Sequence, residues 1–322
     1  MAKTYALSQK WGLFAGPLLC VAVAYLPALS FFQPKAQWAI SIGLWMLVWW
    51  ISEAIPMAAT ALLPLVLFPL VGLLDLKEAA APYANPVIFL FMGGFMIALA
   101  MEKWRLHLRI ALNIIRLTGT QAHTILLGMM CATALLSMWI SNTATTLMML
   151  PIASSIISLL TSESANLTSK QQANFALVLM LGIAYAASIG GIATLVGTPP
   201  NTVFAGFMAE TYQYQVGFGA WMMVGVPFAL LLLVATYGLL LVLYPSRIRH
   251  FEGAEALIQK QLADLGKMSR GETLTLAVFI ATAFLWMGRE YLIYWLPAMK
   301  NLTDTGIAMM AGVVLFVLPT DW

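Results

Sequence analysis

Charge is scarce in this chain. Asp, Glu, Lys and Arg make up 9% of the 322 residues, where a soluble domain carries roughly 25%, while hydrophobic residues reach 61%. That excludes a soluble globular domain and leaves a polytopic integral membrane protein. The net charge of +3 is too small to support a nucleic-acid partner, and its distribution among loops matters more than its sum. There are two cysteines, Cys20 and Cys131, and both fall inside apolar runs; they read as small core residues and not as a disulfide framework. Between Arg116 and Arg247 the charged side chains are only Glu163, Lys170 and Glu210, each in an expected loop or at a helix end. Proton coupling ordinarily uses an intramembrane Asp, Glu or His. None is expected at bilayer depth here, so that coupling is the weaker alternative.

What is present is a series of apolar runs. Met1–Lys10 is polar and basic ahead of Trp11–Leu29, which superficially resembles a signal peptide. The run is long enough to span and lacks a small-residue cleavage pattern, so a retained first helix over Trp11–Ser30 is expected. A second helix follows at about Gln37–Ile51, and a third from Pro56 to about Leu74, with Glu53 between them expected to cap a helix N-terminus. Asp75–Glu78 reads as a loop. A fourth helix is expected over Asn85–Met101, continuing into Glu102–Gly119, whose Lys103, Arg105, Arg109 and Arg116 lie among leucines and isoleucines as in an amphipathic helix at the membrane interface. A sixth helix (Ala220–Leu243), a charged segment (Ser246–Glu272) with Phe251, Ala254, Leu257, Ile258 and Leu262 at helical spacing, and seventh and eighth helices (Thr273–Met287 and Thr305–Leu318) complete about eight spans. A cytoplasmic N-terminus puts twelve of the sixteen Lys and Arg residues on the inner side and leaves Lys35, Lys77, Arg289 and Lys300 outside, as the positive-inside rule requires. The expected location is the inner (plasma) membrane.

Two elements depart from simple spans. Thr124–Met138 and Leu147–Ile157 flank the polar stretch Trp139–Thr146 and are each shorter than the roughly 20 residues of a spanning helix. They read as a re-entrant helical hairpin opening from the cytoplasmic side, with Ser141-Asn142-Thr143 at its tip. Phe175–Met208 is too long for one span and carries Gly190-Gly191 and Pro199-Pro200, so a discontinuous fifth helix is expected, unwound between residues 188 and 202. Interrupted helices with Gly, Pro, Ser, Thr and Asn at the break point to a transporter's central site. Neutral hydroxyl, amide and carbonyl oxygens there suit sodium. A bound anion would rely on helix N-termini, hydroxyl and amide donors, and the sodium beside it. The alternatives are Ser, Thr and Gly that merely pack helices, with Ser188 and Thr194 individually ambiguous, and an intramembrane hydrolase using Ser141. A hydrolase needs a base within reach, and the histidines, His107, His123 and His250, all sit near expected cytoplasmic helix ends.

At Ser141-Asn142-Thr143, at Gly190-Gly191-Ile192-Ala193-Thr194-Leu195-Val196-Gly197-Thr198-Pro199-Pro200-Asn201 and, more weakly, at Trp49–Pro56, the chain resembles the divalent anion/sodium symporter family of dicarboxylate transporters. The resemblance implies an elevator-type transporter built on an inverted repeat, of which this chain would hold the first half: scaffold helices in 1–119, a moving part in 120–245, a cytoplasmic linker helix in 246–272 and helices seven and eight in 273–322. It implies a sodium site of Ser137, Ser141, Asn142 and the Gly190 backbone, and a substrate site of Asn142, Thr143, Thr198 and Pro199. It further implies homodimerisation, a bilayer setting, no enzymatic activity, and sodium-coupled uptake of a di- or tricarboxylate, with a sulfate-type anion as the runner-up. The family carries a second repeat, so a chain ending at Trp322 is expected to be truncated, and a non-transporting fragment stays open.

Overall fold

The computed structural model describes residues 5–26, 33–119, 121–163, 168–245 and 253–320. Ser30, Arg247, Arg249, His250 and Phe251 lie outside the described residues. Among the described residues the secondary structure is helical throughout, without a strand. The chain divides into two compact units, Met1–Asn85 and Pro86–Trp322.

The first unit contains α1 (Leu7–Ala24), α2 (Pro34–Ser52), α3 (Met57–Thr60), α4 (Leu63–Leu70) and α5 (Leu76–Ala80). α1 and α2 pair along their length, and the indole of Trp49 in α2 donates to the Leu13 carbonyl in α1. The expected third span is two short helices. Pro64 removes one amide hydrogen and its ring clashes with the carbonyl four residues earlier, that of Thr60, where α3 ends. Glu53 does not cap a helix N-terminus. It ends α2 in the left-handed conformation (φ 50°), and α3 has no side-chain cap. Asp75–Glu78 is not a loop either: Asp75 caps α5, accepting from the Glu78 amide at 2.7 Å while Glu78 reaches back to the Asp75 amide. This reciprocal pair is legible in the Asp-x-x-Glu spacing.

The second unit contains α6 (Pro86–Lys103), α7 (Leu106–Thr118), α8 (Ala122–Ser137), α9 (Asn142–Glu163), α10 (Ser169–Ile192), α11 (Pro199–Tyr212), α12 (Phe218–Leu243), α13 (Ala254–Asp264), α14 (Arg270–Trp295) and α15 (Asp304–Val317). α10 is the centre: α8, α9 and α12 all pack on it, and Leu179, Ile183 and Ala186 on its faces are fully buried. α7 is amphipathic as expected. Its Leu106, Ala111, Leu112 and Ile115 are buried, against α8 and α13, and its Arg109 forms a two-pronged pair with Glu272 of α14, 2.7 Å from Nε to Oε1. α13 confirms the helical spacing in the charged segment, with Ala254 and Ile258 buried.

Among the described residues six segments are long and apolar enough to cross a membrane: Leu7–Ala24, Leu76–Lys103, Asn142–Leu159, Ser169–Ile192, Phe218–Leu243 and Arg270–Trp295. The expected third and eighth spans fall short, as Met57–Leu70 and Asp304–Val317. The second arm of the expected hairpin is longer than its sequence reading: α9 has 22 residues, because the polar residues Asn142–Thr146 are helical. Only the first arm, α8 with 16 residues, is shorter than a span.

Candidate functional site

The connection between α8 and α9 is four residues, Met138–Ser141. Ser141 is the N-cap of α9, its hydroxyl accepting from the Ala144 amide at 3.3 Å, and Thr146 folds its hydroxyl back onto the Asn142 carbonyl at 2.8 Å. These local bonds let a run of polar residues continue the helix. The amides of Asn142 and Thr143, at the first two positions of α9, have no partner among the described residues, and Thr143 is exposed. This end of α9 is a donor face suited to an anion.

The second interruption runs from Ala193 to Thr198, narrower than the sequence implied. Gly190 and Gly191 do not break α10; they lie inside it and permit close approach. A Cβ on Gly190 would stand 2.2 Å from the Ala134 carbonyl oxygen of α8, and one on Gly191 would stand 2.4 Å from Asn142 Oδ1. Pro199 and Pro200 start α11 at its first two positions, where a missing amide hydrogen costs least. They also leave that helix end without its first two donors, so α11 can offer an anion its dipole but few hydrogen bonds.

Carbonyls of the last turn of α10 and of the break find partners, as backbone away from water requires. Gly190 accepts from the Ala193 amide at 3.0 Å. The Asn201 amide nitrogen donates to the carbonyls of Gly191 (2.9 Å) and Thr194 (2.7 Å). The Trp221 indole of α12 donates to Ile192 at 2.9 Å. Thr194, wholly buried, donates its hydroxyl to the Met138 carbonyl and accepts from the Gly197 amide at 3.1 Å. Thr194 therefore joins the α8–α9 tip to the α10–α11 break. Thr194, Asn201 and Trp221 were not assigned roles from sequence. The signal for Asn201 is its place directly after the proline pair, but the carbonyls it serves lie earlier in the chain, at the end of α10 and in the break.

Around this junction neutral oxygens gather. Ser137 Oγ lies 2.8 Å from Asn142 Oδ1 and 2.7 Å from the Ala187 carbonyl of α10. A Cβ on Gly197 would meet the Gly191 carbonyl at 2.6 Å and the Ser137 carbonyl at 3.0 Å. Thr145, one turn into α9, is wholly buried with no partner for its hydroxyl among the described residues. Of the sodium-ligand set, Ser137 and Asn142 are brought together. Ser141 is engaged as a helix cap, and Gly191, not Gly190, abuts Asn142. Of the substrate set, Asn142 and Thr143 share the start of α9, whereas Thr198 is half-buried and Pro199 exposed, with their carbonyls accepting from the Asn201 amide and the Thr202 hydroxyl. Ser188 is exposed and bonds back to the Ala184 carbonyl of its own helix. Among the described residues no base is bonded to Ser141: His123 is exposed, and buried His107 has its Nδ1 3.1 Å from the Met101 carbonyl, with burial lowering its imidazole below the ordinary range.

The tip is held from the opposite side by aromatic rings. Trp139 stacks with Phe218 (6.0 Å) and Trp286 (6.2 Å) and meets Phe279 edge-on at 5.0 Å. Asp304, at the start of α15, fixes that stack: it accepts from the Phe218 amide at 3.0 Å, its carbonyl accepts from the Trp286 indole at 2.9 Å, and its carboxylate lies 3.0 Å from Arg289.

A bundle of apolar helices with two interrupted elements meeting at neutral oxygens defines a polytopic membrane protein with a buried polar junction. The family model described as the sodium:sulfate symporter transmembrane region matches residues 7–322. The chain is 40% identical over 326 residues to a sodium-dependent dicarboxylate transporter, SdcS, of Staphylococcus aureus strain USA300, covering 98% of this chain and 61% of that protein. A protein of the same name from Staphylococcus saprophyticus is also 40% identical, over 319 residues, with 98% and 62% covered. The chain belongs to the sodium:sulfate symporter transmembrane-region family, in agreement with the resemblance carried by its two motifs. It spans about three-fifths of the length of these relatives.

Proposed function

We propose that a protein containing this chain couples sodium entry to uptake of a small di- or tricarboxylate of the succinate and malate class across the inner membrane. The observation that carries this reading is the junction itself: Ser137 Oγ, Asn142 Oδ1 and the Ala187 carbonyl converge with no ionisable side chain on Ser137–Thr146 or on the 188–202 stretch. Such a donor set fits a hard monovalent cation. The free amides at the start of α9 stand beside it, so cation and anion would each lower the electrostatic cost of binding the other. The names of the relatives agree with sodium and dicarboxylate.

In this reading α8 and α9 form a re-entrant hairpin with the N-terminus of the chain cytoplasmic. The hairpin moves with α10, α11 and α12 against a scaffold of α1 to α7 with α14 and α15, α13 being a linker, and the protein is a homodimer through that scaffold. The elevator movement, the dimer and the orientation rest on the family resemblance and on the distribution of basic residues. The test is uptake of labelled succinate into proteoliposomes. A sodium gradient should drive accumulation, and a pH gradient in sodium-free buffer should not; accumulation under the latter condition would refute sodium coupling. Competition by sulfate against succinate discriminates the inorganic-anion alternative named in the family description.

A further inference from the structure

We propose that the groove between α6, α14 and α15 is a binding site for an anionic glycerophospholipid, with one acyl chain in the groove and the phosphate on Lys103. The cavity has a volume of about 360 Å³ and is walled by Leu99 of α6, Leu274 of α14 and Leu315 and Phe316 of α15. Its polar lining is Lys103 and Trp104 with the hydroxyls of Thr275 and Thr320. Leu99 and Phe316 are 63% and 81% exposed, and Leu99 lies on a segment whose apolar length suits a bilayer, so the mouth of the groove is apolar.

The polar end is built for a phosphate. The Trp104 ring lies against the backbone of Gly271 in the first turn of α14, where any Cβ would stand 2.3 Å from the indole. On that fixed ring rests the Lys103 ammonium, 5.4 Å from its centroid. Lys103 makes no ion pair among the described residues; Arg105 follows the end of α6 and Arg270 is the first residue of α14. The facing acids are Glu102, an exposed neighbour in the chain, and Glu272, already held by Arg109. An interfacial Trp-Lys pair above an apolar groove matches the layout of a phospholipid, whose charge and tail lie a fixed distance apart. A free soluble anion would find the charge but leave the groove empty. Nothing in the sodium and anion site depends on this groove, so lipid binding and transport can be tested apart.

The test is native mass spectrometry of the purified full-length protein released from nanodiscs of equal phosphatidylglycerol and phosphatidylcholine. Wild type should retain phosphatidylglycerol preferentially. Lys103→Gln should reduce that preference roughly fivefold, the worth of one basic side chain at an anionic surface, and Leu274→Trp, which fills the groove, should abolish retention of either lipid at this site. Equal retention of both lipids by wild type, or an unchanged preference in Lys103→Gln, would overturn the proposal. So would a groove occupied by another segment of the full-length protein. Should Leu274→Trp fail to fold, the Lys103→Gln comparison decides alone.

Discussion

Ser137 Oγ at the end of α8 lies 2.8 Å from Asn142 Oδ1 at the start of α9 and 2.7 Å from the Ala187 carbonyl, so a single hydroxyl proton faces two acceptors. A hydroxyl can donate only once; the Ala187 carbonyl keeps the bond of its own helix, so Asn142 Oδ1 is the oxygen that is left short when the hydroxyl turns to Ala187. In a buried place that shortage is costly unless another positive group supplies it. A cation bound among these oxygens would do so, which is the physical reason for placing sodium at this junction.

The first prediction concerns the two sides of Asn142. Its amide can turn an oxygen toward a cation and its NH2 toward a carboxylate. Asn142→Asp keeps the shape and the oxygen but removes the donors and adds charge beside the anion. A hydrogen bond to a charged group contributes roughly 1.5–3 kcal/mol, and 1.4 kcal/mol is about tenfold in affinity. Substrate affinity of purified protein should fall at least about tenfold while sodium binding stays measurable. Ser141→Ala should mainly weaken sodium binding, with a separate loss of about 1 kcal/mol in stability from the missing helix cap. Normal substrate binding by Asn142→Asp would remove the tip from the site.

Much of this junction was legible in the sequence, and the unread parts share a cause. The break before Pro199 was visible because proline and glycine act on the backbone locally. The polar tip was visible as an interruption in apolar periodicity, but its extent was overestimated, since Ser141 and Thr146 satisfy the first turn of α9 through bonds to their own neighbours. Gly190-Gly191 has the sequence signature of a helix break, whereas the glycines make room for Ala134 and Asn142, residues about 50 positions away in sequence. The aromatic stack on Trp139 was not legible at all: Phe218, Phe279 and Trp286 are ordinary apolar residues until α12 and α14 bring them together.

The two glycines should separate stability from function. A methyl on Gly190 meets backbone, the Ala134 carbonyl at 2.2 Å, which can move only by parting α8 from α10. Gly190→Ala should lower thermal stability by about 1–3 kcal/mol, the usual cost of overpacking. A methyl on Gly191 meets the end of the Asn142 side chain, which can swing away from Ser137. Gly191→Ala should unfold near the wild-type temperature yet need severalfold more sodium for half-maximal uptake. Equal stability losses in the two variants would show that Asn142 is not free to give way.

Arg109 and Glu272 join α7 to α14 with side chains only 17% and 5% exposed. Removing one partner strands the other: Arg109→Gln leaves a nearly buried carboxylate, at a cost of roughly 3 kcal/mol, the lower end for buried pairs because Arg109 still reaches water. Replacing both with methionine removes the stranded charge along with the bond. The double variant should therefore melt at a higher temperature than Arg109→Gln. If the two effects simply added, the pair would not be energetically coupled.

Asn201 carries the last prediction, because its role is that of a donor and nothing else. Its Nδ2 serves the carbonyls of Gly191 and Thr194 at 2.9 and 2.7 Å, and the residue is 7% exposed. Two carbonyl partners leave no doubt which end of the amide faces them, since an oxygen there would repel both. Asn201→Ala strands both carbonyls, each at about 1–3 kcal/mol, though a water entering the space could recover part of that. Asn201→Asp is the same size and admits no water, but turns an anionic oxygen toward two carbonyl oxygens. Packing alone would rank the aspartate variant as milder than the alanine; the donor role ranks it as more severe. Thermal unfolding of the two variants in one detergent decides between the rankings, and an Asn201→Asp protein as stable as wild type would show that the break in α10 is held by something other than this amide.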